Sequence, residues 1–262
     1  MAETVKLNYS EAGQGVPVVM LHGFPLASGI WQAQQQGLSD GYRVITPDLR
    51  GHGQSPTPEG VYEMELVARD VLALLDSLEI DKAVILGHSM GGYAVLAGWK
   101  LAPERFLALG LIASQAAADS DEARQGRYKT ADKVAAEGSQ VVADAMMTKL
   151  FGPTLAADSP IREQVRQMIL KTSPIGIVGT LKGMAARVDS TAPLAKIQIP
   201  LLILAGESDQ IIPLEKAKGL AAAIPQATLK VIGGAGHMPM LEQPAATTAA
   251  IREFLTKIKA FV

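Results

Sequence analysis

Residues 83–97 read Ala83-Val84-Ile85-Leu86-Gly87-His88-Ser89-Met90-Gly91-Gly92-Tyr93-Ala94-Val95-Leu96-Ala97. An unbroken apolar run leads into glycine and serine, and a small, apolar stretch of helical character follows. The pattern predicts a strand, a sharp turn and a helix with Ser89 at the apex. Glycine stands two positions either side of the serine because a turn this tight leaves no room for side chains against the neighbouring strand and helix. A serine held there is exposed, and the N–H of the next residue points toward whatever the serine attacks.

Working outward, apolar runs of buried-strand character recur at Val16 to Leu21, Tyr42 to Ile45, Leu107 to Ala113, Leu201 to Ala205 and Thr228 to Ile232. Continuous hydrophobicity suits a parallel sheet covered on both faces. Helical stripes lie between them, at Val67, Val71, Leu74, Leu75 and Leu78, and again at Ile251, Phe254, Leu255 and Ile258. The alternation predicts an α/β fold with a mostly parallel central sheet. It breaks between about Gln115 and Gln198, a stretch rich in alanine with a helical stripe at Ile161, Val165, Met168 and Ile169. We read residues 115–198 as an inserted helical cap, and residues 1–114 with 199–262 as the core, all one structural unit. Ser159-Pro160 supplies an N-cap and first position for one cap helix, and Ser173-Pro174 opens another turn or helix.

The chain has 262 residues, 48% of them hydrophobic, enough for a sizeable core. The formal net charge is -2 with the charges interspersed, so neither nucleic acid nor a membrane surface is an expected partner. No apolar run approaches the roughly 18 residues of a membrane span. Nothing in Met1 to Asn8 reads as a targeting segment, and a cytoplasmic location is the expectation. There is no cysteine, which removes disulfides and thiolate catalysis. Oligomeric state is not encoded in any pattern found.

Serine needs a base within hydrogen-bond reach, itself oriented by a third group. Of the four histidines, His22, His52 and His88 lie in glycine-flanked turns. His237 follows the last apolar run through Gly233-Gly234-Ala235-Gly236, a loop able to carry an imidazole over the sheet's edge, where catalytic groups of open α/β sheets collect. Asp209 follows the run Leu201 to Leu204 and is the expected orienting acid, with Glu207 the alternative. The order Ser89, Asp209, His237, each after its own strand, weighs toward catalysis over an ordinary N-cap aspartate. For the oxyanion, the N–H of Met90 is one expected donor. Phe24 in His22-Gly23-Phe24-Pro25 is the other, since Pro25 has no N–H to give. His22 reads as structural, its ring bonding nearby backbone. In the cap, Met146 and Met147, with Leu150, Phe151, Met168 and Met184, are candidates for an acyl pocket, and Trp31 is a further pocket candidate; packing is the competing role for each. Arg124, Arg127 and Arg187 could meet a substrate carboxylate, although exposure to solvent is the ordinary expectation.

With these residues in view, the chain resembles the α/β-hydrolase fold family. The resemblance rests on the elbow, on His22-Gly23-Phe24-Pro25, on Asp48-Leu49-Arg50-Gly51-His52-Gly53-Gln54-Ser55, and on Gly236-His237 with Glu242 and Pro244 behind it. It points to small bacterial serine hydrolases: carboxylesterases, lactonases of the 3-oxoadipate enol-lactone type and cofactor-free haloperoxidase-like perhydrolases. It implies Ser89 as nucleophile, His237 as base, Asp209 as acid, and Phe24 and Met90 as oxyanion donors, acting on a small-molecule ester or lactone. Asp48, Arg50 and His52 fall in a turn that is usually structural in this family. Haloalkane dehalogenases and epoxide hydrolases share the fold but use aspartate as nucleophile, so Ser89 argues against both. Walker, dinucleotide and His-Glu-x-x-His zinc motifs are not found, and neither a cofactor nor a metal is expected. Ester hydrolysis is the leading expectation; lactone hydrolysis, perhydrolysis and carbon–carbon cleavage with the same triad are the alternatives.

Overall fold

The computed structural model describes residues 3–259. The chain begins with β1 (Tyr9–Ala12) and β2 (Pro17–Leu21), followed by α1 (Gln32–Leu38), β3 (Arg43–Pro47), α2 (Met64–Ser77), β4 (Ala83–His88), α3 (Met90–Leu101) and β5 (Phe106–Ile112). Four helices follow without a strand: α4 (Asp121–Glu137), α5 (Gln140–Met147), α6 (Pro160–Lys171) and α7 (Pro174–Ala185). The chain then returns through β6 (Leu201–Gly206), α8 (Leu214–Ala223), β7 (Ala227–Ile232), the short α9 (Pro239–Glu242) and α10 (Pro244–Lys259).

The strands form one sheet in the order β1-β3-β2-β4-β5-β6-β7. Every neighbouring pair is parallel except β1 with β3. All six residues of β4 and of β6 are buried, as unbroken apolar runs require when helices cover both faces of a sheet. The chain runs from β2 outward to β3 and then crosses back to β4 on the other side of β2. Strand order therefore reverses between β2 and β4, and the crevice at their C-terminal ends is where an open α/β sheet receives ligands.

The first strand is absent from the sequence reading. Tyr9-Ser10-Glu11-Ala12 has no apolar run because β1 is an edge strand with only partial burial. Its antiparallel ladder with β3 matches Tyr9 to Pro47 and Ala12 to Val44, and the hydroxyls of Ser10 and Thr46 meet at 2.8 Å.

The cap helices are bounded by local chemistry. Ser120 caps α4 by accepting the Ala123 N–H at 3.2 Å, and Gly138 ends that helix at φ 87°. Ser159 caps α6 with Pro160 in the first turn, while Ser173 precedes Pro174 at the start of α7 without a side-chain cap bond. The two connections between cap and core are tied together. Ser190 N–H donates to Ala116 O at 3.0 Å, and Ala118 N–H donates to the Asp189 carboxylate at 3.0 Å. Among the described residues, no helix is long and apolar enough to cross a membrane.

Candidate active site

Ser89 sits between β4 and α3 with φ 49° and ψ -112°. A non-glycine residue at positive φ costs on the order of 1–3 kcal/mol and persists only where its surroundings impose it. Here they do. Ser89 N–H donates to Ile112 O at 2.8 Å, and its carbonyl accepts from Gly92 N–H at 3.0 Å and from the Ser114 hydroxyl at 2.7 Å. The flanking glycines answer to close approach: a Cβ on Gly87 would lie 2.3 Å from the Gly91 carbonyl, and one on Gly91 would lie 2.7 Å from both Leu21 O and His22 O. Ser89 is the one half-exposed residue in the run Gly87–Tyr93.

His237 leaves the loop after β7 and is buried, as is Asp209 after β6. The imidazole Nδ1–H donates to Asp209 Oδ2 at 2.8 Å. The other carboxylate oxygen accepts the N–H groups of Ile211 at 2.8 Å and Ile212 at 2.9 Å. Of the two acids considered from the sequence, Asp209 meets the ring. Glu207 is exposed and accepts Gly234 N–H at 2.9 Å, bracing the loop before His237.

The loop after β2 closes on the elbow, since a Cβ on Gly23 would lie 3.1 Å from the Ser89 Cβ. Phe24 is half-buried and joined to Pro25 by a cis peptide. Among the described residues, neither the Phe24 N–H nor the Met90 N–H, at the first position of α3, donates to a protein acceptor. The first N–H groups of a helix have no partner within it and favour negative charge. His22 is structural. Its Nδ1–H donates to Gly23 O at 2.8 Å and its Nε2 accepts Leu49 N–H at 2.9 Å, and burial holds its pKa below the ordinary histidine value. The stretch 48–55 is equally committed to structure: Asp48 accepts Ser28 N–H and Gln54 N–H, Arg50 pairs with Asp70, and the His52 ring donates to Arg50 O at 2.9 Å.

The pocket candidates divide. Met146 and Met147 end α5 half-buried against the core. Leu150 and Phe151 are buried, and Met168 Sδ accepts Ala27 N–H from the loop after β2 at 3.2 Å. Trp31 is fully buried, edge-on to the His88 ring with centroids 6.4 Å apart, a packing position behind the elbow. Arg187 departs from the expectation of exposure. Its side chain is 5% exposed, lies over the Tyr93 ring at 3.9 Å, and shares Asp119 with Arg127. The ion pair and the aromatic face compensate a charge that would otherwise be costly to bury. Arg124 pairs at the surface with Asp121.

Three residues that touch this site escape a sequence reading of their roles. Ser114 braces the Ser89 carbonyl. His88 donates from Nε2–H to His237 O at 2.8 Å, its ring 4.8 Å from the His237 ring. Glu242 accepts the N–H groups of Gly236, Met238 and Gly152. No periodicity marks them, because each makes a bond to a main-chain atom at least 25 positions away in the chain. Among the described residues, no group of three or more His, Asp or Glu side chains is arranged to hold a metal ion.

The chain is similar to known proteins over nearly its whole length. A 3-oxoadipate enol-lactonase of Acinetobacter baylyi is 34% identical, the match covering 98% of this chain and 95% of that protein. A non-heme chloroperoxidase of Streptomyces lividans is 30% identical over 88% of each. A thermophilic esterase from Thermogutta terrifontis, solved with malate bound, superposes with a TM-score of 0.95 at 40% identity, covering 97% of this chain and 94% of that one. Residues 16–244, from the strand before the Phe24 loop to the helix behind His237, match the family described as alpha/beta hydrolase fold, and to that family this chain belongs.

Proposed function

We propose that this protein hydrolyses small-molecule carboxylic esters through an acyl-enzyme on Ser89, with His237 as general base, Asp209 as its orienting acid, and the N–H groups of Phe24 and Met90 as the oxyanion hole. The observation that carries this reading is the 2.8 Å bond from His237 Nδ1–H to Asp209 Oδ2. A neutral imidazole that donates from Nδ1 has a bare Nε2, the nitrogen a serine hydroxyl needs as proton acceptor.

In the cycle, Ser89 Oγ attacks the ester carbonyl carbon as its proton passes to His237 Nε2. The two N–H groups receive the developing oxyanion. Collapse expels the alcohol, which leaves with the proton from His237. Water then attacks the acyl-enzyme, giving its proton to the same nitrogen, and the carboxylic acid departs as Ser89 regains its hydrogen. Substrate and water balance the cycle.

The identity with an enol-lactonase favours a second reading with the same residues, in which the carbonyl belongs to a lactone and the leaving oxygen stays tethered to the acyl chain. Aryl esters of graded acyl length, assayed beside lactones, separate the two. Ser89→Ala should fold and lose at least about 10³-fold in turnover on whichever class is active. Retention of most activity by that variant overturns the proposal.

A further inference from the structure

Three of the four residues before His237 are glycine: Gly233, Gly234 at φ 69°, and Gly236. Glycine imposes no conformation of its own, so the position of the imidazole has to be set from outside the loop. Besides the ring's bond to Asp209, two bonds reach the main chain of His237 itself. Its N–H donates to Leu150 O in the cap at 2.9 Å, and its carbonyl accepts from His88. The residues on either side are held by one carboxylate. Glu242 Oε1 accepts Gly236 N–H at 2.9 Å and Met238 N–H at 3.0 Å, while Oε2 accepts Gly152 N–H at 2.6 Å. Gly152 follows Leu150 and Phe151 in the cap and lies against the same loop, where a Cβ would stand 2.5 Å from Gly234 O and 2.7 Å from Gly236 N.

We propose that Glu242 is a positioning residue for the general base, locking the cap segment 150–152 onto the His237 loop so that the cap helps set where the imidazole stands. The inference rests on His237 being the base. A carboxylate suits the position because both of its oxygens accept and each meets main-chain donors, in charge-assisted bonds stronger than neutral ones. Glutamine has one acceptor oxygen and an amide that only donates. Either way round, its NH₂ would face an N–H, on the cap side or on the loop side. The rigid mount is α9, whose first residue, Pro239, accepts the Thr247 hydroxyl at 2.8 Å. The cap thereby contributes to turnover as well as to binding.

The test compares Glu242→Gln with Gly152→Ala, which wedges cap and loop apart while leaving the carboxylate in place, on a short-chain aryl ester. Rates are expressed per active site titrated by the acylation burst, so that loss of folded protein does not count. Both variants should lose roughly 10- to 100-fold in kcat with KM within about threefold, the signature of a misplaced catalytic group. A kcat per site within about twofold of the parent in either folded variant overturns the proposal. If Glu242→Gln does not fold, Gly152→Ala decides. Ser89→Ala run alongside separates this outcome from failure of the underlying reading, because activity in that control would remove the acyl-enzyme mechanism itself.

Discussion

His88 joins the two halves of the site at the scale of one residue. It precedes Ser89 in the chain and donates to the main-chain carbonyl of His237. The donor nitrogen is Nε2, so in the neutral ring Nδ1 is bare. Burial, reinforced by the neighbouring His237 and opposed by the bond to its carbonyl, holds the His88 pKa well below the ordinary value. The ring therefore stays neutral beside the imidazole proposed as the base. His88→Leu should leave the His237 carbonyl without its donor, destabilising the fold by about 1–3 kcal/mol and lowering kcat. His88→Gln, whose amide can still donate, should recover part of both. Urea denaturation and burst-titrated kcat measure the two effects, and equal behaviour of the variants would remove the hydrogen bond as the cause.

Among the elements, the roots of the cap are held by an ion cluster. Asp119, at the entry to α4, accepts from Arg127 on that helix and from Arg187 just beyond α7. Arg187 also donates to Ala116 O at 3.3 Å and stacks on Tyr93 of α3, one turn beyond Ser89. Burial raises the Asp119 pKa, but the hydrogen bond and charge of Arg127, with Arg187 behind them, outweigh it and hold the group below 3.8. Its folded pKa is depressed, so its stabilisation is present above the unfolded value and lost as pH falls through the folded one. Arg187→Met should destabilise by about 1–3 kcal/mol, less than a fully broken buried pair because Arg127 remains. A chemical-denaturation midpoint unchanged from the parent would refute the tie.

On the scale of the whole molecule, His22, His52 and His88 are buried close together, His22 on His52 at 5.1 Å between rings. Burial, the largest cause for each, lowers all three from 6.5, His52 to about 3. The unfolded chain binds these protons near pH 6.5 and the folded protein does not. Stability should be fully present above about pH 6.5 and fall on acidification, each group contributing up to about 1.4 kcal/mol per pH unit. For His52 the loss runs from 6.5 down to about 3. Thermal unfolding between pH 8 and 5 should show a flat region and then a fall in Tm. His52→Asn, which keeps a donor, should make that fall shallower; an identical slope would mean His52 does not contribute.

The order of the strands' apolar runs, the helix boundaries at Ser159-Pro160, and the turn around Ser89 were legible in the sequence. Each is a local matter: sustained hydrophobicity for a strand covered on both faces, proline in a first helical turn, and glycine where backbone crosses backbone within four residues. The alternation of those elements carried the fold class, and their succession singled out Ser89, Asp209 and His237. Only the tertiary structure decided that Asp209 and not Glu207 meets the His237 ring, that Trp31 and Arg187 are buried, and that Tyr9–Ala12 pairs as an edge strand. It alone brought Glu242 to the N–H of Gly152, 90 positions away, and His88 to the carbonyl of His237, 149 positions away. Each such bond ends on a main-chain group of a kind that nearly every residue carries, so no local pattern of side chains encodes which of them a given side chain will meet.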